Sequence, residues 1–456
     1  EYPMRDLSAV LCQIVTLTFF IAVSVTSPAM GQIINEDYKI LPDDGSAGDE
    51  FGQATAIHNG VVVVGADNDD DNGINSGSSY IIHLILDIAP IKLLANDGAA
   101  SDLFGFSTAI GVRNIAQGSL GAVVGAPNDS DNGTNSGSAY LFDSSTGNQI
   151  FKLLATDGAF ADHFGQSVAI DNGIIVIGAP DDDDNGTDSG SAYIFDANTG
   201  LQLAKLLPDD GAANDTFGFK VAISGDIIAV SAPGHLNSGG ETGTIYLFSA
   251  SKASQFAKLS SNDGAPYEQF GYSLSIDNGI VAVGALTSGS AYIFNANTQA
   301  LINKLIPSPP GNAFGWSIDI DGNKVVVGDI SDPVNGQGSG SAILFNAFTG
   351  TQIAKLLPSD GSIFDQFGAS IGIDNDLIVI GARSDSDNGG SSGSAYVFDI
   401  FCPADLNGDG ELNFFDISAF LAAFANQNPI ADFNNDGLFN FFDVSAFLNA
   451  FTQGCP

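Results

Sequence analysis

The sequence predicts a mainly β protein: a seven-bladed β-propeller whose last blade is closed by an N-terminal strand, followed by a small helical domain. Three observations carry this. Phe-Gly recurs at Phe51, Phe104, Phe164, Phe217, Phe270, Phe314 and Phe367. Each interval holds four short strand-like runs, clearest in the third unit as "GQSVAI", "IIVIGA", "SAYIF" and "LQLAKLL". The seventh unit stops at Cys402 without its fourth run, while "YKIL" (38–41) stands before the first unit with no unit of its own.

The runs read as strands because they alternate, favour β-branched residues and are separated by turn dipeptides such as Asn172-Gly173. Four strands per unit in a long repeat fit propeller blades. An open β-solenoid has shorter repeats and no use for a split unit. Pairing "YKIL" with "SAYVFD" (394–399) closes the ring and leaves no open edge.

Residues 1–31 are expected to be an export signal. Arg5 supplies the positive end, an apolar run follows over 9–25, and "AMG" (29–31) offers small residues for cleavage. Gln13, Thr16, Thr18 and Ser24 interrupt the run, which is short for a membrane span. The mature chain is thus expected outside the cell or on its surface, with no span of its own. It is divided into a propeller over 32–401 and a tail over 402–456. Removing 1–31 removes Cys12, and the two remaining cysteines, Cys402 and Cys455, are expected to pair.

Lys and Arg number 13 against 53 acids, for a net charge of -40. Nucleic-acid binding is excluded for want of a basic face. Cations, above all calcium, become the expected partners. Because strands alternate in direction, the loops after the second and fourth strands share one face of the propeller, and most of the acids fall there. Four of the second-to-third loops read Asp-x-Asp-Asn-Gly. Their candidate metal ligands are Asp69 and Asp71, Asp129 and Asp131, Asp182 and Asp184, and Asp385 and Asp387. A solvated acidic turn explains the same string. Lys39, Lys92, Lys152, Lys205, Lys258, Lys304 and Lys355 share one place in the fourth strand, where a lysine blunts edge pairing.

The "FG" and "GAP" strings (125–127 and 178–180) resemble the FG-GAP repeats of integrin α-subunit propellers, and more closely a bacterial variant with "SGSAY" after the acidic loop. The resemblance covers roughly 37–399 and implies the propeller fold, not one activity. Integrin repeats carry a calcium loop between the first and second strands. Here that place holds short turns such as "IDNGI" (170–174 and 276–280), so those sites do not carry over.

In the tail, "DLNGDGELNFFD" (405–416) and "DFNNDGLFNFFD" (432–443) match the EF-hand calcium loop twice, 27 residues apart. The expected oxygen ligands are Asp405, Asn407, Asp409, the Glu411 carbonyl, Asn413 and Asp416, then Asp432, Asn434, Asp436, the Leu438 carbonyl, Asn440 and Asp443. Gly410 and Gly437 supply the sharp turns. Helix-like segments follow at 414–424 and 441–451. A loop and one helix, duplicated and bracketed by cysteines, resembles a type I dockerin of the kind found in secreted proteins of planctomycete-like bacteria. That resemblance implies docking to a cohesin-like scaffold or cell-surface component. Cellulosomal dockerins carry small polar residues where this chain has Phe414, Phe415, Phe441 and Phe442, which makes those rings candidate partner contacts.

The function expected is that of a non-catalytic, calcium-binding adhesion or scaffold protein, with a protein or glycan ligand on the propeller face. The alternative is a carbohydrate-binding propeller, or a hydrolase component, of an extracellular polysaccharide-degrading complex. His58, His83, His163 and His235 fall at unrelated places in their units and suggest no catalytic set. Trp316 is the only Trp, which gives little support to an aromatic sugar platform.

Overall fold

The structure, a computed structural model, describes residues 32–454 apart from 87, 115, 238–239, 242, 262–266, 408–411 and 435. The expected export signal and Cys455, and with Cys455 the expected Cys402–Cys455 bond, lie outside the described residues. Among the described residues no helix is long and apolar enough to cross a membrane.

The second strand of each unit explains the architecture. Val61–Ala66 and Ile174–Ala179 are apolar without alternation, which is expected of a strand covered on both sides. Val62 and Val64 pack against Val379 and Val397 of the last unit. Val63, facing the other way, packs against Ala122 and Val124 of the second. Each unit forms an antiparallel sheet in the order first, second, third, fourth strand. The core is a ring of seven apolar layers, one between each pair of neighbouring blades.

The repeated motif is a mating surface between these layers. A Cβ on Gly178, in the second strand of blade 3, would meet the Gly218 carbonyl of blade 4 at 1.9 Å. The Phe of each Phe-Gly is buried, and in six blades it packs edge-on against the third-strand Tyr of its own blade, with Phe164 and Tyr193 centroids 5.3 Å apart, while in blade 6 Phe314 packs on Phe345. Glycine lets the blades close up, and the phenylalanine fills the space behind.

Strand β1 (Gln32–Asn35) and strand β2 (Tyr38–Ile40) come from the N-terminal end. As expected, β2 is the fourth strand of blade 7, with Tyr38 opposite Val397, Lys39 opposite Tyr396 and Ile40 opposite Ala395. The sequence reading missed β1. It runs parallel to Gln352–Leu357, the outer strand of blade 6, pairing Gln32 with Ala354 through Asn35 with Leu357. Blade 6 therefore has five strands, and the N-terminal segment holds two adjacent blades.

The tail contains helices α1 (Phe414–Ala425) and α2 (Phe441–Gln453). Each begins with a capping box, Asn413 with Asp416 and Asn440 with Asp443. Equivalent residues of the two halves meet in its core, where Phe420 and Phe447 stack with centroids 4.1 Å apart beside Ile417 and Val444.

Candidate functional site

On the face where the acidic loops emerge, the Asp-x-Asp-Asn-Gly strings fold into near-identical loops. In blade 2 the Asp131 amide donates to Asp129 Oδ1 at 2.9 Å, Gly137 N donates to the Asp129 carbonyl at 2.8 Å, and the Asn132 side chain donates to Ala155 O at 2.9 Å. The string thus ties its own turn and reaches the next loop.

The other oxygens point at a lysine. Lys152 Nζ lies 2.8 Å from Asp129, 2.7 Å from Asp131 and 2.7 Å from Asp97, which belongs to the loop arriving from blade 1. The same ammonium lies 5.2 Å from the centre of the Tyr140 ring. Three further blades repeat the set within 2.7–2.9 Å. Lys92 meets Asp44, Asp69 and Asp71, Lys205 meets Asp157, Asp182 and Asp184, and Lys39 meets Asp360, Asp385 and Asp387. All eight propeller carboxylates expected as metal ligands therefore face an ammonium. Lysines expected to blunt the blade edges fold over the loop face instead. Burial alone would lower the Lys152 pKa, but hydrogen bonds to Asp129, Asp131 and Asp97 outweigh it and hold the group above the ordinary lysine value. Burial acts upward on Asp97 in turn, and the bond from Lys152 more than offsets it, leaving the carboxyl below its usual range.

Blades 4 and 6 vary the theme. In blade 4, His235 stands in place of the acid string, its Nδ1 2.9 Å from Asp215 and 3.2 Å from the Tyr246 hydroxyl. There Lys258 pairs with Asp210. In blade 6, Lys355 pairs with Asp332. His163 contacts Asp181 at 2.7 Å on another blade. His58 and His83 end two different strands of blade 1.

The mating of a second-strand glycine with the Phe-Gly glycine of the next blade, at six of the seven blade junctions, is the observation that decides the family. The FG-GAP repeat pattern matches residues 34–82, 91–142, 148–195, 201–248, 253–294, 303–345 and 351–398. The chain belongs to the FG-GAP repeat family. No curated protein sequence matches it. In this FG-GAP propeller the repeats account for the blades and the lysine cradles, while residues that vary from blade to blade line the central channel.

That channel, of about 700 Å3, is walled by the seven first strands. The residue after each Phe-Gly stands at its loop-side mouth, and it differs around the ring: Gln53, Phe106, Gln166, Phe219, Tyr272, Trp316 and Ala369. Three consecutive blades place aromatic rings in contact, Phe219 to Tyr272 at 5.5 Å and Tyr272 to Trp316 at 5.2 Å. Arg383 lies 5.4 Å from the Trp316 ring and donates to Gln366 and Gln53. Sequence reasoning missed this arc by weighing Trp316 alone. Reading the residue after each Phe-Gly in ring order would have found it.

In the tail, Asp409 and Glu411 lie outside the described residues. The second loop is described except for residue 435. Asp432 accepts from the amides of Asp436 at 3.1 Å and Gly437 at 2.8 Å, and Asp436 accepts from Leu438 N at 2.8 Å. Asp443 accepts from Asn440 N at 2.8 Å and Asn434 N at 3.4 Å. Asp416 accepts from Asn413 N at 2.9 Å and Asn407 N at 3.3 Å. Among the described residues no three His, Cys, Asp or Glu side chains are grouped as for a metal. Asp416 and Asp443 are nevertheless fully buried, and residues 402–456 contain no Lys, Arg or His. Two buried carboxylates without a basic residue in their domain fit a bound cation. Phe414, Phe415, Phe441 and Phe442 are all about two-thirds exposed and lie at the starts of α1 and α2.

Proposed function

We propose that this is an exported, non-catalytic binding protein. Its FG-GAP propeller offers the loop face to a protein or glycan ligand, and its calcium-loaded, dockerin-like tail docks to a cohesin-like scaffold or cell-surface partner. The observation that carries the calcium part is the burial of Asp416 and Asp443 in a segment without basic residues. A divalent cation in each loop neutralises these charges, using Asp405, Asn407, Asp409, Glu411, Asn413 and Asp416 in one loop and Asp432, Asn434, Asp436, Leu438, Asn440 and Asp443 in the other. Holding the loops in place presents the four exposed phenylalanines on one tail, and exposed aromatic clusters of this kind anchor protein interfaces. His163 and His235 each pair with a carboxylate, in different blades, and the non-catalytic reading rests on their falling in no shared set.

Calcium counted by mass spectrometry after dialysis tests this reading. About two ions are expected on the chain, lost together from Asp416→Ala/Asp443→Ala, with the tail becoming protease-sensitive while the propeller stays intact. A full ion count that survives both substitutions would remove the tail from the calcium account.

A further inference from the structure

Lys220 has no counterpart in the other blades. Five of them carry serine at its place on the first strand: Ser107, Ser167, Ser273, Ser317 and Ser370. Those hydroxyls tie blade to blade, as when Ser107 Oγ donates to Gly165 O at 2.8 Å. Blade 4 has exchanged the pair. Its hydroxyl sits on the second strand as Ser231, where the other blades have glycine, and accepts from Lys220 N at 2.9 Å. The exchange frees position 220 for a long cationic side chain.

The Lys220 side chain lies in the channel wall, with Nζ 5.8 Å from the Phe219 ring centre. It therefore joins the aromatic arc at one end as Arg383 does at the other. Unlike the cradle lysines, it pairs with no carboxylate among the described residues. Burial alone shifts its pKa, and shifts it down. A buried cation without a carboxylate beside it costs stability, and the fold at this position is satisfied by serine elsewhere.

We propose that the loop-side mouth of the channel binds an acidic sugar residue, its ring face against Tyr272 and Trp316 and its carboxylate on Lys220. This rests on reading the propeller as a ligand-binding body and names the ligand class. Aromatic walls take the apolar face of a flat saccharide ring, the Gln53 and Gln166 amides offer partners to hydroxyls, and Lys220 supplies a charge-assisted bond to a carboxylate. The acidic loops around the mouth repel long polyanions, so a chain end carrying one carboxylate fits better than a densely charged polymer.

Trp316 is the only Trp in the chain, so its emission reports this mouth alone. The intact protein is titrated with a uronic-acid trisaccharide, a neutral hexose trisaccharide and a short acidic peptide. A saturable change with the uronate is expected. Lys220→Ser, which restores the residue of five other blades, weakens it about tenfold or more with melting unchanged or raised, and the neutral sugar binds weakly to both proteins. Equal binding of the neutral sugar would overturn the role of Lys220, and preference for the peptide would overturn the sugar. Silence of Trp316 towards every probe overturns the site itself. In that case, glycan or protein binding that survives Trp316→Ala would still support the binding-protein reading, at another surface.

Discussion

One ammonium serving three carboxylates makes each cradle lysine sensitive to removal. Asp129 is 5% exposed and Lys152 16% exposed at the side chain, while Asp97 and Asp131 are open to solvent and screened. Lys152→Met leaves Asp129 buried beside two like charges, and we expect a loss of about 2–3 kcal/mol in denaturant unfolding. Lys252→Met, on an exposed side chain, should change stability by no more than roughly 0.5 kcal/mol. Equal effects at the two sites would refute the cradle as a stabilising unit. Asp67 is the opposite case. It is buried and its Oδ1 has no hydrogen-bond partner. Burial, then the Glu50 charge, push its carboxyl up to about 7 from an ordinary 3.8, against smaller pulls from a backbone amide and then Arg383. A raised folded pKa means that its contribution is complete below about pH 3.8 and is lost as pH rises through about 7. Asp67→Asn should therefore stabilise the protein near pH 8, by at most roughly 4 kcal/mol at 1.36 kcal/mol per pH unit, with no gain near pH 4. Melting curves at the two pH values decide it. The acid strings were visible in the sequence, but the cation that meets them was not. Asp97 and Lys152 reach one another from different blades, and only the ring brings them together.

At the level of strands, the four runs per unit and the split last blade were legible because each strand repeats seven times in a recognisable pattern. β1 was not. Its four residues pair with a strand more than three hundred positions away, and "QIIN" carries no sign of parallel addition to an outer edge. The two N-terminal strands should differ in consequence. Removing 32–41 strips blade 7 of its fourth strand and of Lys39, exposing the edge of Ser394–Asp399. We expect melting to fall by about 10 °C or more, with aggregation from the open edge. Removing only Gln32–Asn35 leaves blade 7 whole and should cost a few degrees at most. If the longer deletion melts like the parent, β2 is not the closure. The tail helices were also legible, from tandem loops followed by apolar segments. The outward position of Phe414, Phe415, Phe441 and Phe442 was not, since a small core gives no sequence rule for which rings it takes in.

Across the whole molecule, a net charge of -40 first suggested a face crowded with bound ions. The fold distributes that charge differently. Lysines carried on outer strands are folded back into the loop face, so part of the counter-charge is covalently attached. The fit between sequence and structure is closest where residues recur, and weakest where they do not, as at Lys220 and Trp316. Repetition encodes the ring, while departures from it mark what one blade does that its neighbours do not.

The clasp also orders events in time. Lys39 and Asp385 are 346 positions apart, so the N-terminal strand must wait for a partner made hundreds of residues later. Six blades can assemble in turn as they emerge, but the seventh cannot be completed until residue 399 has been made. A chain cut short anywhere in the last blade keeps an unmatched strand at each end. Closure is in effect a check, made by the chain itself, that the seventh blade has been reached.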